Sequence, residues 1–399
     1  MRSLPSTILV ALAAACTTPN PDYRPHGGPC TTHRQCESNV CLPEGKCSDG
    51  VDVAFVDPGG EGTSCSLSSP CSAIEAALKT GRSYLKMTGT TKVTDTVAIT
   101  GKKLTVLADS GAKLTRDTPG TLVKVTDSSQ VAIFDLEISG ARGPEGIGIW
   151  MPTANNSNVS LERVTVGPNA REGIKIESTG VMNISQSTIT GNYRGLVANG
   201  SIVNVRQSAI RNSLVFGIYA NNSAVQIMRS TIENNGKGGL VVFLPTEFQI
   251  ANNFIVQNGN EPSPIGGITG LGAMYIKIDP GTSARKLTFN TIADNNVEAR
   301  QQTGGVTCFG DVQTANNLIY RNALGTLGSQ TDGDCTYGSS LITGSDPGFR
   351  SATDYHLTAA TPMGTIRDAF DCASSEDIDG DARPQGGKCD LGADEYRGP

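Results

Sequence analysis

The sequence predicts an all-β solenoid: short strands wound into stacked coils, each coil pairing in parallel with the next. Three observations predict it. Gly173, Gly195, Gly217 and Gly239 stand 22 residues apart, and a short apolar strand follows each one. A small polar residue recurs two positions before an isoleucine, as Ser187/Ile189, Ser208/Ile210, Ser230/Ile232, Asn253/Ile255, Asn290/Ile292 and Asn317/Ile319. Apolar residues alternate with a period of two in short pieces broken by Gly, Asn and Ser, whereas a helical repeat needs spacings of three and four sustained over about ten residues. A repeat of this length means one supersecondary unit stacked on its neighbours.

Each repeat reads as strand, turn, strand, turn, strand, turn. The first strand carries Ile174 and Ile176, then Leu196 and Ala198, Ile218 and Ala220, Leu240 and Val242. The second carries Met182 and Ile184, Val203 and Val205, Val225 and Ile227, Phe248 and Ile250. The third holds the isoleucines named above, and an Asn follows shortly: Asn192, Asn212, Asn234, Asn258, Asn295 and Asn322. Coils of this kind lie about 4.8 Å apart along the axis. Inward side chains then stack in columns. The Ser and Asn residues two before the isoleucine share its inward face, where a buried hydroxyl or amide is costly unless bonded. Stacking like on like, coil over coil, satisfies donor and acceptor in a ladder. Insertions lengthen the coils around 261–271 and 297–305, and insertions on one flank of a solenoid often shape a binding surface.

These repeats resemble the right-handed parallel β-helix repeat family, the pectin-lyase-like fold. The resemblance covers about 91–345 and implies a right-handed single-stranded parallel β-helix. It also implies an enzyme to be tested for, because the family includes polysaccharide lyases, glycoside hydrolases and epimerases.

Both ends of such a coil need covering, since an open coil exposes unpaired strand edges. Over 51–90 the chain reads as a strand around Val53–Val56 and a short amphipathic helix. Ser72 and Glu75 form a capping-box signature for that helix, which carries Ile74, Ala77 and Leu78 and ends at Gly81. The region 346–399 is the expected C-terminal cap. Its Asp377-Ile378-Asp379-Gly380-Asp381, Arg383-Pro384 and Asp390-Leu391-Gly392-Ala393-Asp394-Glu395-Tyr396 resemble the C-terminal region of bacterial choice-of-anchor Q proteins. That resemblance implies export and a surface role, and no chemistry.

The N-terminus reads as an address. Residues 1–15 carry Arg2 and an apolar run from Ile8, too short to span a bilayer. Small residues directly before Cys16 resemble a bacterial lipobox, with Ala13 standing where that motif prefers Leu; the resemblance implies a lipidated Cys16 and attachment to the outer membrane or cell surface, the alternative being an ordinary signal cleaved near Ala15. Residues 16–29 read as a flexible tether and 30–50 as a cysteine-rich module. Eleven cysteines less Cys16 leave an even number in local groups: Cys30, Cys36, Cys41 and Cys47; Cys65 and Cys71; Cys308 and Cys335; Cys372 and Cys389. Local disulfides suit an oxidising compartment, with the connectivity of the first four left open. Zinc would want C-x-x-C pairs, and the sequence has none.

Function classes narrow in the same way. A net charge of -6 argues against a nucleic-acid groove. The expected state is a monomer that meets the membrane only through lipid. A hydrolase needs two facing carboxyls, and a lyase needs a base plus calcium or several cations. The outward first-strand positions read as Gly148, Lys175, Val197, Tyr219, Val241 and Tyr275, with no acidic pair. The best catalytic constellation is Glu172, Lys175, Arg194 and Tyr219 on adjacent coils, and solvated surface charge explains it equally well. Asp377, Asp379 and Asp381 could hold calcium, but Gly380 and Lys388 fall where an EF-hand loop would not place them, which favours an Asp-rich turn. Trp150, Tyr219 and Phe243, with Val197 and Val241, could stack on sugar rings. The reading is an exported surface lipoprotein without catalytic machinery or cofactor that binds glycan or another surface. The alternative is a polysaccharide lyase or glycoside hydrolase.

Overall fold

The computed structural model describes residues 23–153, 156–177, 179–259, 271–279, 285–296, 303–322, 330–362, 369, 372, 374–385 and 387–397. The leader, Cys16, the first part of the tether and most of both insertions lie outside the described residues. The chain divides into two compact units, Met1–Val53 and Ala54–Pro399.

In the first unit, disulfides join Cys30 to Cys41 and Cys36 to Cys47, which settles the open connectivity. Cys30, Cys36 and Cys47 are themselves its buried cluster. A segment this small buries too little apolar surface to fold on hydrophobicity alone, so sulfur bridges replace a core.

The second unit is an all-β, right-handed parallel β-helix. One coil shows the plan: strands Glu172–Ile176, Val181–Ser185 and Thr188–Thr190 contribute to a first, second and third face. Each pairs in parallel with its counterpart one coil on. Ile174 lies beside Leu196, Ile184 beside Val205 and Ile189 beside Ile210. The inward column of the first face runs Ile149, Ile174, Leu196, Ile218, Leu240, Met274, Val306, every member at most 1% exposed. Parallel pairing is already in place between Tyr84–Met87 and Lys103–Ala108 on the second face and between Thr90–Val93 and Lys113–Arg116 on the third, ahead of the point where the repeat becomes visible in the sequence.

The 22-residue glycine signal marks close packing of rungs. A Cβ on Gly173 would sit 2.8 Å from the carbonyl oxygen of Gly195, and one on Gly195 only 2.4 Å from that of Gly217. The turn between second and third strands uses a left-handed residue at each coil, such as Gln186, Gln207, Arg229, Asn252, Phe289 and Asn316. The next residue is the small polar one, and it points inward as expected. Asn290 shows how its burial is balanced. Its Nδ2 donates to Asn317 Oδ1 at 3.0 Å and to the Ile250 carbonyl at 2.9 Å, while its Oδ1 accepts from Asn253 N and Nδ2. A second set of amides closes the turn after the third strand, linking Asn169 to Asn192 and running from Asn235 through Asn258 and Asn295 to Asn322; between these stretches the Ser213 backbone N–H donates to Asn235 Oδ1 while its hydroxyl finds no partner among the described residues. Here the structure corrects the reading: Asn212 and Asn234 are the left-handed turn residues, and the positions equivalent to Asn192 and Asn258 are their neighbours Ser213 and Asn235, of which Asn235 joins the ladder.

The short helix spans Ile74–Lys79, and its Ile74, Ala77 and Leu78 join the solenoid core. The expected capping box does not form. Ala73 is the extended N-cap and no side chain bonds the first turn. Cys65–Cys71 closes the loop just before this helix.

The tail follows no repeat. Phe349–Ser351 and Asp354–Leu357 form an antiparallel pair, and the chain then runs along the outward side of the third face. Phe254, Val256, Ala293 and Tyr320 are covered by Phe349, Tyr355, Ile378 and Ala393. The Gly392 N–H donates to the Asn316 carbonyl, and the Ala393 N–H to Thr291 Oγ1 at 3.0 Å. Cys372–Cys389 and Cys308–Cys335 complete the local disulfides. Among the described residues no strand pairs with the far edge of Thr331–Gly338 or Leu341–Thr343, so the tail braces a flank of the late coils.

Candidate functional site

The outward column of the first face is fixed by register: Lys124, Trp150, Lys175, Val197, Tyr219, Val241, Tyr275, Thr307. Trp150, and not Gly148, is therefore the partner of Lys175. Gly148 lies two residues before Trp150 on the same coil, beside Gly173, where a Cβ would strike the Gly173 carbonyl oxygen at 2.6 Å. Val197 and Val241 point outward yet are only 5% and 4% exposed. Tyr193, Val215, Phe216, Tyr219, Leu271 and Tyr275 form one apolar cluster with Val241. Phe243 belongs to a parallel column that continues through Lys277 to Phe309. Lys277 lies 5.2 Å over the Phe243 ring, Tyr275 packs 5.6 Å from Phe309, and Phe309 is 44% exposed. The first face of the late coils is thus an array of rings with partly open edges.

The four catalytic candidates do not converge. Glu172 is buried and pairs with Arg194 at 3.1 Å, with Arg171 alongside at 3.7 Å. Both arginines lie over the Tyr193 ring. Lys175 turns away to Glu177, at 2.9 Å. Tyr219 stacks on Phe216 two coils further on. Glu177 also accepts the Trp150 indole N–H at 2.9 Å. Burial would raise the Glu177 carboxyl, but Lys175 and Trp150 outweigh it and hold it below the usual carboxylate range. A general acid or base works best with a pKa near the operating pH, and this one is moved the other way. Lys124 and Lys175, from the coils on either side, lie 5.0 and 5.9 Å from the Trp150 ring centre. A cation over a ring face is favourable by about 0.5–1 kcal/mol at exposed sites, so Trp150 is already stacked.

In the tail, Asp377, Asp379 and Asp381 bring carboxylate oxygens within 4.8 Å of one another. Asp377 is fully buried and its Oδ1 accepts the N–H groups of Asp379, Gly380 and Asp381, while Oδ2 accepts that of Glu395. Its lone pairs therefore close an Asp turn. Asp381 pairs with Arg397 and Asp379 with His356 Nε2 at 3.1 Å. Beside them, burial first of all, with Asp377 and Asp379 adding, pushes the Asp394 carboxyl up to about 6, against the Leu357 N–H and His356.

A further concavity lies on the second face, and the sequence reading missed it. Its floor is a register column of small residues, Ala251, Thr288, Ala315 and Gly338. One wall is the outward column Gln249, Lys286, Gln313 and Thr336, and the other is Ser374 and Ser375 of the tail; the groove encloses about 690 Å³. The signal was present as an i+2 alternation, but the insertions shift the spacing between these coils, so the column surfaces only after they are subtracted. The same holds for Tyr275 with Phe309.

No family model matches this chain, and no curated protein does. Solved structures similar to it include a pectate lyase (14% identical, TM-score 0.48, covering 86% of this chain and 96% of that one). A second is the Dettilon tailspike protein (13%, TM-score 0.35, 71% and 68%), and a third is a periplasmic alginate epimerase (10%, TM-score 0.32, 65% and 77%). At such identities the likeness concerns the fold alone, which the strand register already defines.

Proposed function

We propose that this chain is an exported surface lipoprotein whose β-helix binds glycan without turning it over. The observation that carries this reading is the ring array of the first face. Tyr219, Tyr275, Phe243 and Phe309 offer apolar edges at successive coils, with Lys277 among them, and aromatic edges of this kind suit the apolar faces of sugars. The ionisable groups nearby are engaged with one another: Glu172 with Arg194, Glu177 with Lys175. Five disulfides among the described cysteines support an oxidising compartment. Export and a lipid on Cys16 are part of the proposal, as is the surface role suggested by the tail motif. Calcium, zinc and nucleic acid have no part in it.

The test is a broad polysaccharide panel incubated with the purified protein, with and without calcium. Binding without new reducing or unsaturated ends is expected, and Tyr275→Ala with Phe309→Ala should lose it while the melting curve is kept. New chain ends would replace this reading by a lyase or hydrolase. Metabolic labelling with a palmitate analogue should mark the wild type and leave Cys16→Ala unmarked.

A further inference from the structure

Three separate segments of the tail bring metal-binding side chains to one place. His356 comes from the strand Asp354–Leu357, Asp379 from the Asp turn and Asp394 from the last buried stretch. One donor atom from each lies within 4.8 Å of the other two. His356 Nε2 is already 3.1 Å from Asp379 Oδ2. The other ring nitrogen is engaged: Nδ1 bonds Asp354 Oδ1, which also accepts the His356 backbone N–H at 3.2 Å. Arg350 holds Asp354 in turn, at 3.3 Å. A carboxylate on one imidazole nitrogen fixes the ring and its tautomer and raises the basicity of the nitrogen left over. Nε2 is thus aimed, from a ring that cannot turn freely, at the two carboxylates.

Asp394 calls for a cation independently. It is only 6% exposed, and its one hydrogen bond comes from the Leu357 N–H at 2.6 Å. Among the described residues no lysine or arginine pairs with it, and Asp377 and Asp379 add negative charge beside it. A buried carboxylate is costly unless a cation compensates it, and the nearby imidazole is shared with Asp354 and Asp379. The Asp377, Asp379 and Asp381 trio is a poorer place for an ion, because Asp377 spends its oxygens on four backbone N–H groups. The donor set selects the metal. Calcium takes about six to eight oxygens, whereas an imidazole nitrogen with two carboxylates suits zinc, at about 2.0–2.2 Å from each donor. Donors of one tetrahedral zinc stand about 3.3 Å apart, a spacing that His356 and Asp379 nearly meet. We infer that His356 Nε2, Asp379 and Asp394 bind one zinc ion, with Asp354 as the positioning residue and solvent in the fourth place beside exposed Asp379. Binding releases the Nε2 proton to solvent, so the ion takes the place which that proton holds between His356 and Asp379 in the metal-free protein. The ion clasps the antiparallel pair to the end of the tail and stands apart from the aromatic first face.

The experiment uses the full protein with its disulfides intact, prepared without a polyhistidine tag and cleared with EDTA. Zinc chloride titrated calorimetrically should bind at one equivalent, and calcium chloride about tenfold or more weaker. Asp379→Asn, an exposed change that folding tolerates, and His356→Gln should each abolish the site. Asp354→Asn should keep it and weaken it about 10–100-fold. Cobalt(II) in place of zinc should give the visible bands of a tetrahedral site in the wild type, altered bands in Asp354→Asn and none in His356→Gln, a signature that a merely structural change in the tail would not move. Hydrogen exchange should show protection gained at 354–357 and 390–396 when zinc is added. No zinc binding by the wild type, unchanged binding in both Asp379→Asn and His356→Gln, or calcium binding as tight as zinc would overturn the inference. Zinc held only by His26 or His33 would persist in Asp379→Asn and so count against it. None of these outcomes bears on glycan binding, which is measured separately.

Discussion

The solenoid and the tail solve the same problem by opposite means. In the solenoid every coil repeats its neighbour's solution: an apolar column such as Leu196, Ile218 and Leu240, and an amide ladder such as Asn235, Asn258 and Asn295. The tail has one copy of everything. Its centre is Arg383, whose side chain is wholly buried with that of Glu395 and donates to the Asp390 and Gly392 carbonyls at 2.9 and 2.8 Å. Arg383 also lies 4.9 Å over the ring of Phe289, a solenoid turn residue. Repetition spreads stability over nearest-neighbour interfaces. A single buried ion pair concentrates it, because each charge is costly once its partner is gone. The solenoid should therefore tolerate local damage, and the tail should not.

The sharpest break of this comparison is Arg383→Ala. It leaves Glu395 buried without its partner and should cost about 3–5 kcal/mol. Hydrogen exchange should show protection lost across 349–397 and kept at Ile174 and Leu196. Uniform loss along the chain would mean that tail and coils melt as one. Ile218→Ala removes a fully buried side chain and should cost about 2–5 kcal/mol. Its damage should centre on the coils on either side, measured in the same way.

A ladder substitution is next. Asn258→Ala orphans the groups that Asn235 and Asn295 direct at it and should cost about 1–3 kcal/mol. Asn258→Ser should cost less, because a serine hydroxyl can accept the preceding coil's N–H, as Ser230 Oγ accepts that of Ser208 in the first ladder. Chemical denaturation of the three proteins checks the order.

The smallest effect is pH-dependent and belongs to the tail. Burial pushes the His356 imidazolium down, but Asp354, Asp394 and Asp379 together raise its pKa above the ordinary value. Phe254 packs against its edge from the solenoid. A raised folded-state pKa adds stability that is full below the unfolded value near 6.5 and fades as pH rises through the folded value. Asp394, raised to about 6, acts in the same direction between its ordinary value and 6. The advantage of wild type over His356→Gln should therefore be largest in mild acid and shrink above neutrality, as read from melting temperatures at matched pH. A difference that grows with pH would reverse the assigned sign.

The coils were legible in the sequence because one set of residues is written many times. Ser187, Ser208 and Ser230 announce an inward turn before any coordinate is known, since a buried hydroxyl needs a like neighbour one rung away. The site was legible only in part. Tyr219 and Phe243 were found on the first face, but the column was read one step out at Gly148, because the strand before Glu172 lies outside the strict repeat. Glu172 and Lys175 seemed adjacent along the chain, yet alternation along a strand sends them to separate partners. Of the groove, the floor column becomes readable only with the insertions subtracted, and the second wall not at all, since Ser374 is distant in sequence from Ala315 and nothing in either segment encodes the other.

By itself the sequence determined the class of fold, the inward columns and the disulfide grouping. These depend on local alternation and on stacking between neighbours, both of which a periodic chain carries in its letters. Tertiary structure alone decided which outward residues stay open, that Val197 and Val241 are covered, that the tail lies along a flank, and that a trough forms beside it. Those features arise where non-repeating segments meet the solenoid, and such meetings follow from surface complementarity over long separations, which no period records.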